Sequence, residues 1–211
     1  MDQLTGISSI LALSMGVAWA SGINLYAAVF MLGLLNSMGH MTLPPDLQVL
    51  SDPLVMIAAG FMYLVEFTAD KIPGVDTGWD GLHTFIRIPA GALLAAGAMG
   101  DVAPAAELAA ALVGGSIAAG SHAFKAGSRV LINTSPEPVT NWTASVAEDI
   151  AVIGGLWAAL NHPVWFLLGL ALFILLLVWL LPKLWRGIKR VFGWVVRLFS
   201  GGKPSTSSSS G

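Results

Sequence analysis

Three observations predict an all-α membrane protein, a six-helix polytopic bundle. The 211-residue chain is 55% hydrophobic and only 10% charged, where a soluble domain is about 25% charged. Residues 164–181 run eighteen positions without a charge, close to the roughly 20 residues that cross a bilayer. The ionisable residues are also gathered rather than scattered. Seven fall between Glu66 and Arg87, and a second polar knot runs from Ser121 to Asp149. An ionisable group at the centre of a membrane helix costs about 2.5–3.5 kcal/mol on insertion scales, so such groups usually mark function.

Composition excludes several classes. With no cysteine there are no disulfides, thiolate metal sites or cysteine nucleophiles. A net charge of −2 implies no nucleic-acid partner, and no motif calls for a cofactor. The twenty-four glycines suit close helix approach in lipid.

Taken in order, residues 7–36 read as one retained helix interrupted at Ser21-Gly22-Ile23-Asn24. Ala18-Trp19-Ala20 looks like a cleavage site, but residues 1–6 contain no Lys or Arg, which a signal peptide wants. The interruption has a functional reading, an unwound segment whose free backbone groups face a polar centre. Residues 37–52 form a loop. Asp52-Pro53 reads as an N-cap followed by proline at the first helical position, opening a second helix over 53–70. Pro73-Gly74 ends it. A third helix is expected over 80–100, started by a Thr77–Asp80 capping box. Gly100-Asp101 turns the chain, and Pro104 opens a fourth helix over 104–132. Its small residues at 114–121 suit close packing. A loop over 133–138 precedes a fifth helix over 142–160, capped by Asn141. A sixth follows over 164–181.

The transmembrane domain is thus expected over 1–182. Residues 183–199 interleave Arg186, Lys189, Arg190 and Arg197 with Trp and Phe, a basic amphipathic segment for an anionic lipid surface. Residues 200–211 are Gly/Ser-rich and read as a disordered tail.

Six of the ten Lys and Arg lie between Lys183 and Lys203; the others are Lys71, Arg87, Lys125 and Arg129. By the positive-inside rule, six spans put both termini and the tips 71–84 and 126–141 in the cytoplasm of a bacterial inner membrane. The two polar hairpins also align weakly, Lys71 with Lys125 and Asp76-Thr77 with Asn133-Thr134, as an internal repeat whose tips meet.

Spacing selects the polar centre, since residues four apart on a helix are neighbours. Glu66 and Asp70 stack, as do His83 and Arg87, and Lys125 and Arg129. The acidic pair of the second helix is expected to face the basic pair of the fourth, with Glu148 and Asp149 completing the network. Asn24, Lys71, Asp76, Asp80 and His122 belong to the same candidate set. The bland reading is an ion-pair cluster that locks the bundle. The functional one is a site for a proton, an ion or an anionic headgroup. Asp76, Asp80, His83 and His122 form an alternative hard-metal set, without a tight motif behind it. Ser121 beside His122 is poor geometry for nucleophile and base.

Three stretches together resemble a known family: Ser21-Gly22-Ile23-Asn24-Leu25-Tyr26, the run from Glu66 through Arg87 to Leu94, and Asn133 to Pro138. In order over residues 5–165, they resemble the bacterial membrane proteins grouped as domain of unknown function 4126. The resemblance implies no activity. It implies that these polar residues are the family's core.

The functional expectation is a small transporter or channel for an ion or small anion, proton-coupled at Glu66, and more a carrier than an enzyme. Its rivals are a membrane enzyme acting on a lipid headgroup through Asp76, Asp80, His83 and His122, and a structural or assembly protein. Expected partners are the bilayer, anionic lipid at the basic segment, an ion or small molecule, and a second copy of the chain.

Overall fold

The computed structural model describes residues 2–72, 74–134 and 138–199. Pro73, residues 135–137 and the tail 200–211 lie outside the described residues. Helix α1 spans Asp2–Ser37; a 3-10 helix, Pro45–Ser51, leads into α2, Pro53–Ala69. Then come α3, Val75–Gly97, α4, Pro104–Ile132, α5, Pro138–Asn161, and α6, Pro163–Phe199. Among the described residues there is no strand.

Local chemistry explains most boundaries. Asp52 accepts a hydrogen bond from the Leu54 amide at 2.8 Å, with Pro53 at the first helical position, so α2 starts where a cap and a proline direct it. Gly74 and Gly100 take φ of +84° and +68°, a region that favours glycine, and both stand at turns. Three expected details need correction. Helix α3 begins at Val75 with no side-chain cap, so Asp80 lies inside it and pairs with Arg87 instead of capping. Asn141 is a buried residue within α5. Helix α6 continues through Pro182 to Phe199, and Leu184 and Ile188 pack near Gly127 of α4.

Three helical stretches are long and apolar enough to cross a membrane: Gly6–Ser37, Val139–Asn161 and Pro163–Arg190. The 3-10 helix and α2, bent by 67° at their junction, make a fourth if taken as one span. Helices α3 and α4 are long enough as well, but carry the charged residues. The apolar side chains of α6 are largely exposed, as they are on a surface facing lipid.

Helix α1 is the central element. It packs on every other helix, most of all on α3, α4 and α5. Helices α3 and α4 share the most extensive interface, whereas α2–α3 and α4–α5 scarcely touch within their own hairpins. The hairpins are therefore splayed, and they clasp α1. Small residues allow this. A Cβ on Gly22 would overlap Ser121 Oγ and the Ala118 carbonyl, and one on Gly91 would lie 2.5 Å from both Ser21 Oγ and Ala118 Cβ. The expected small-residue face of α4 is thus in use.

The predicted interruption of the first helix is present. Asn24 has φ −146° and ψ 95° inside α1. Contacts on either side show that the chain folds back there. Before the break, Ser14 Oγ donates to the Ala95 carbonyl and Gly16 lies against Ala159, near the far ends of α3 and α5. After it, Phe30 lies against Gly60, Gly33 against Leu50, and Asn36 donates to Ser51 Oγ, at the start of α2. Both arms lead from Asn24 to the same end of the bundle. By length and apolarity residues 6–37 could make one crossing; by contacts they make a re-entrant hairpin with Asn24 at its apex.

Candidate functional site

The apex of α1 meets a network of buried charges. Glu66 and Asp70 come from the last turn of α2 and its cap; Asp76, Asp80, His83 and Arg87 from the first half of α3. His122, Lys125 and Arg129 come from the second half of α4, and Glu148 and Asp149 from the middle of α5. Arg87 is twelve residues into α3, about 18 Å along its axis at 1.5 Å per residue. The network reaches from the tips to mid-bundle.

Glu66, fully buried, sits between two cations. Its Oε1 accepts from Arg87 Nη2 at 2.5 Å and from Lys125 Nζ at 3.1 Å. Lys125 Nζ also donates to Asp70 Oδ2 at 2.8 Å and lies 3.8 Å from Asp80 and 3.5 Å from Glu148. Arg129 grips Glu148 through two bonds, at 3.1 and 2.7 Å, and donates to the Asp70 carbonyl at 2.9 Å. Paired bonds of this kind fix geometry as well as charge. Arg87 Nη1 donates to Asp80 Oδ1 at 3.0 Å. Asp76 Oδ1 accepts from the Gly74 and Thr77 amides and from Asn133, and Arg129 lies 3.9 Å from its other oxygen. The acidic pair of α2 thus faces the basic pair of α4, as spacing predicts.

The helix break joins this network. A non-helical residue releases backbone groups that a buried site must satisfy. The Ile23 carbonyl accepts from Lys125 Nζ at 3.1 Å. Asn24 Oδ1 accepts from the Ala27 amide at 3.0 Å, capping the second arm as an N-cap does. Asn24 Nδ2 donates to Asp149 Oδ1 at 3.0 Å, and Tyr63 donates to Asp149 Oδ2 at 3.3 Å. Asp149 thus does not join the cation network as expected. It binds the break.

His122 is held neutral by its partners. His83 Nδ1 donates to the Trp79 carbonyl at 2.9 Å, and its Nε2 shares a hydrogen bond with the Tyr26 hydroxyl at 3.1 Å. Thr84 gives its one proton to the Asp80 carbonyl, so His122 Nε2 donates to Thr84, while Nδ1 accepts from Arg87 at 3.2 Å. With Asp76 and Asp80 held as described, the alternative metal set does not converge. Among the described residues no three His, Asp or Glu side chains are disposed to hold a metal ion. Ser121 Oγ bonds backbone carbonyls of α1 and α4, which leaves no nucleophile and base pair with His122. Lys71 is peripheral, donating to the Phe67 carbonyl and to Ser145.

The candidate site read from the sequence left out Tyr26, Tyr63 and Asn133. The two tyrosines are the only ones in the chain, and both hydrogen-bond into the site. A scarce hydroxyl-bearing residue in an apolar chain was the available signal. Tyr26 also lines an apolar cleft of about 420 Å³ between α1, α2 and α3.

Fold and site together define an all-helical protein, apolar enough to cross a membrane, packed around a buried ionic centre. The chain belongs to the family described as domain of unknown function (DUF4126), which matches residues 11–183. No curated protein and no solved structure matches the chain.

Proposed function

We propose that the protein is a small membrane carrier in which the re-entrant hairpin of α1 delivers a helix break to a charged centre, and that a proton is the coupled ion. The observation that carries this reading is the Asn24 break, with its freed carbonyl on Lys125 and its side chain on Asp149. Broken helices whose ends face ions at mid-membrane are a recurrent device of transporters. Irregular backbone at that depth is tolerated only inside protein.

Charge balance supports the proton. The ion pairs join five carboxylates, Glu66, Asp70, Asp76, Asp80 and Glu148, to three cations, Arg87, Lys125 and Arg129. A surplus of buried negative charge calls for protons or cations. The lipid-headgroup enzyme has less support, because Asp76, Asp80, His83 and His122 all face protein partners.

In this reading α2–α6 cross the bilayer and α1 does not. The N-terminus then lies on the face opposite the C-terminus. The tips and the exposed Lys183, Arg186, Lys189 and Arg190 face the cytoplasm, against anionic lipid. The test is flux in proteoliposomes with proton, sodium, potassium and phosphate gradients. Wild type is expected to move at least one above protein-free vesicles, and Asn24→Leu to abolish it. No flux in wild type with any gradient of either polarity overturns the carrier.

A further inference from the structure

We propose that Asp149, not Glu66, is the group that takes up and releases the proton, with Tyr63 as its switchable partner and Asn24 as the hinge that reads its state. The inference rests on the carrier reading and deepens it by naming the site of the coupled ion.

The geometry separates Asp149 from the other buried carboxylates. Glu66, Asp70, Asp76, Asp80 and Glu148 each have a Lys or Arg nitrogen within 4.0 Å. Asp149 has none among the described residues, and its two oxygens are held by neutral donors, Asn24 Nδ2 and Tyr63 Oη. Charges face it only at longer range: Lys125 from α4 and Asp70 from α2, Lys71 beyond the end of α2, with Glu148 beside it on α5. A carboxylate that accepts from cations gives up those charge-assisted bonds when it gains a proton. One held by neutral donors leaves no cation behind.

The bonds also supply a place for the proton. Asn24 cannot reverse its amide bond to Oδ1, because its own Oδ1 is engaged by the Ala27 amide. Tyr63 can reverse. A proton arriving from water adds to Asp149 Oδ2, and the new O–H donates to Tyr63 Oη. The tyrosine hydroxyl rotates its hydrogen away, and Oδ1 goes on accepting from Asn24. Release is the reverse. One proton is gained or lost and no other bond breaks. At 9% exposure, Asp149 is buried yet not sealed. Neutralised, it is a weaker acceptor for Asn24, and Asn24 holds the cap of the second arm of α1. Proton occupancy is thereby coupled to the break.

The test is infrared difference spectroscopy of the purified full chain in lipid nanodiscs, between alkaline and acidic pH. Wild type is expected to show a protonated-carboxyl carbonyl band that titrates with pH and is lost in Asp149→Asn, an isosteric variant that keeps both partners. In Tyr63→Phe the ionised form loses a donor, so the midpoint of the band moves to higher pH, an effect a merely structural residue would not have. A band of equal amplitude in Asp149→Asn overturns the proposal, as does an unmoved midpoint in Tyr63→Phe. Should wild-type vesicles carry no flux while the band is still lost in Asp149→Asn, the proton site stands and the carrier reading falls.

Discussion

Glu66 and Asp149 are both buried carboxylates in reach of the same helix break, and they are held in opposite ways. Glu66 accepts from two cations. Asp149 accepts from an amide and a phenol. Burial alone does not distinguish a structural carboxylate from an exchangeable one; the charge of its donors does. The first region behaves as a lock, because its carboxylates share three cations and losing a cation strands several of them in a dry interior. The second behaves as a hinge, because its donors are neutral and no charge is stranded in either protonation state.

The largest expected effect is at the centre of the lock. Lys125→Met removes the cation shared by Glu66, Asp70, Asp80 and Glu148. Breaking a buried pair costs about 3–5 kcal/mol, so the variant should fail to purify as a monodisperse protein or melt far below wild type in detergent. Glu66→Gln should fall in the same range by the same measurement, a reversal of the proton-carrier role that spacing suggests for it. Next is the packing that brings the break to the network. Gly22→Val would push α1 off Ser121 and Ala118, an overpacking cost of about 1–3 kcal/mol or more, read as a lower melting temperature. Asp149→Asn should melt closest to wild type among these variants, because its partners are neutral and no cation loses a carboxylate. If Asp149→Asn melts as low as Glu66→Gln, the contrast between the two regions is broken.

The smallest effect is at Lys71, in the turn after α2. Desolvation holds its ammonium below the ordinary lysine range, opposed by Asp149 and Asp70. With the folded value lower than the unfolded one, the unfolded chain binds more protons between the two. Stability therefore rises with pH across that window. Comparing wild type with Lys71→Gln in alkaline melting curves should show this rise in wild type alone. It should be slight, since the side chain is largely solvated.

Much of this was legible in the sequence. Helical spacing paired Glu66 with Asp70 and Lys125 with Arg129, and only opposite charges satisfy such pairs in an apolar chain. The cap at Asp52-Pro53 and the start of α4 at Pro104 follow from local rules that burial does not override. The break at Asn24 was visible as Gly22 beside a polar amide, yet its direction was not. Composition records that a helix is interrupted, whereas the turn-back depends on Gly33 meeting Leu50 and Asn36 meeting Ser51, contacts made through a distant loop. The basic residues carry two meanings at once. Arg87, Lys125 and Arg129 look like charges marking a cytoplasmic tip, and all three are also buried in the network, where they serve ion pairing. Asn141 and Asp80 looked like caps because both types favour caps; a buried partner claimed each.

The re-entrant hairpin also sets an order of events during synthesis. Residues 2–37 leave the ribosome before α4 and α5, yet the Ile23 carbonyl is satisfied by Lys125, 102 residues later, and Asn24 by Asp149, 125 residues later. At about 5–20 residues per second, the apex waits roughly 5–20 s for Lys125 and longer for Asp149. Through that interval the first segment is an apolar helix with an unanswered polar notch. It can settle into its final course only when α4 and α5 arrive. A segment made before α4 and α5 is thus completed only after them, and a chaperone or insertase that shelters apolar helices has that interval in which to act.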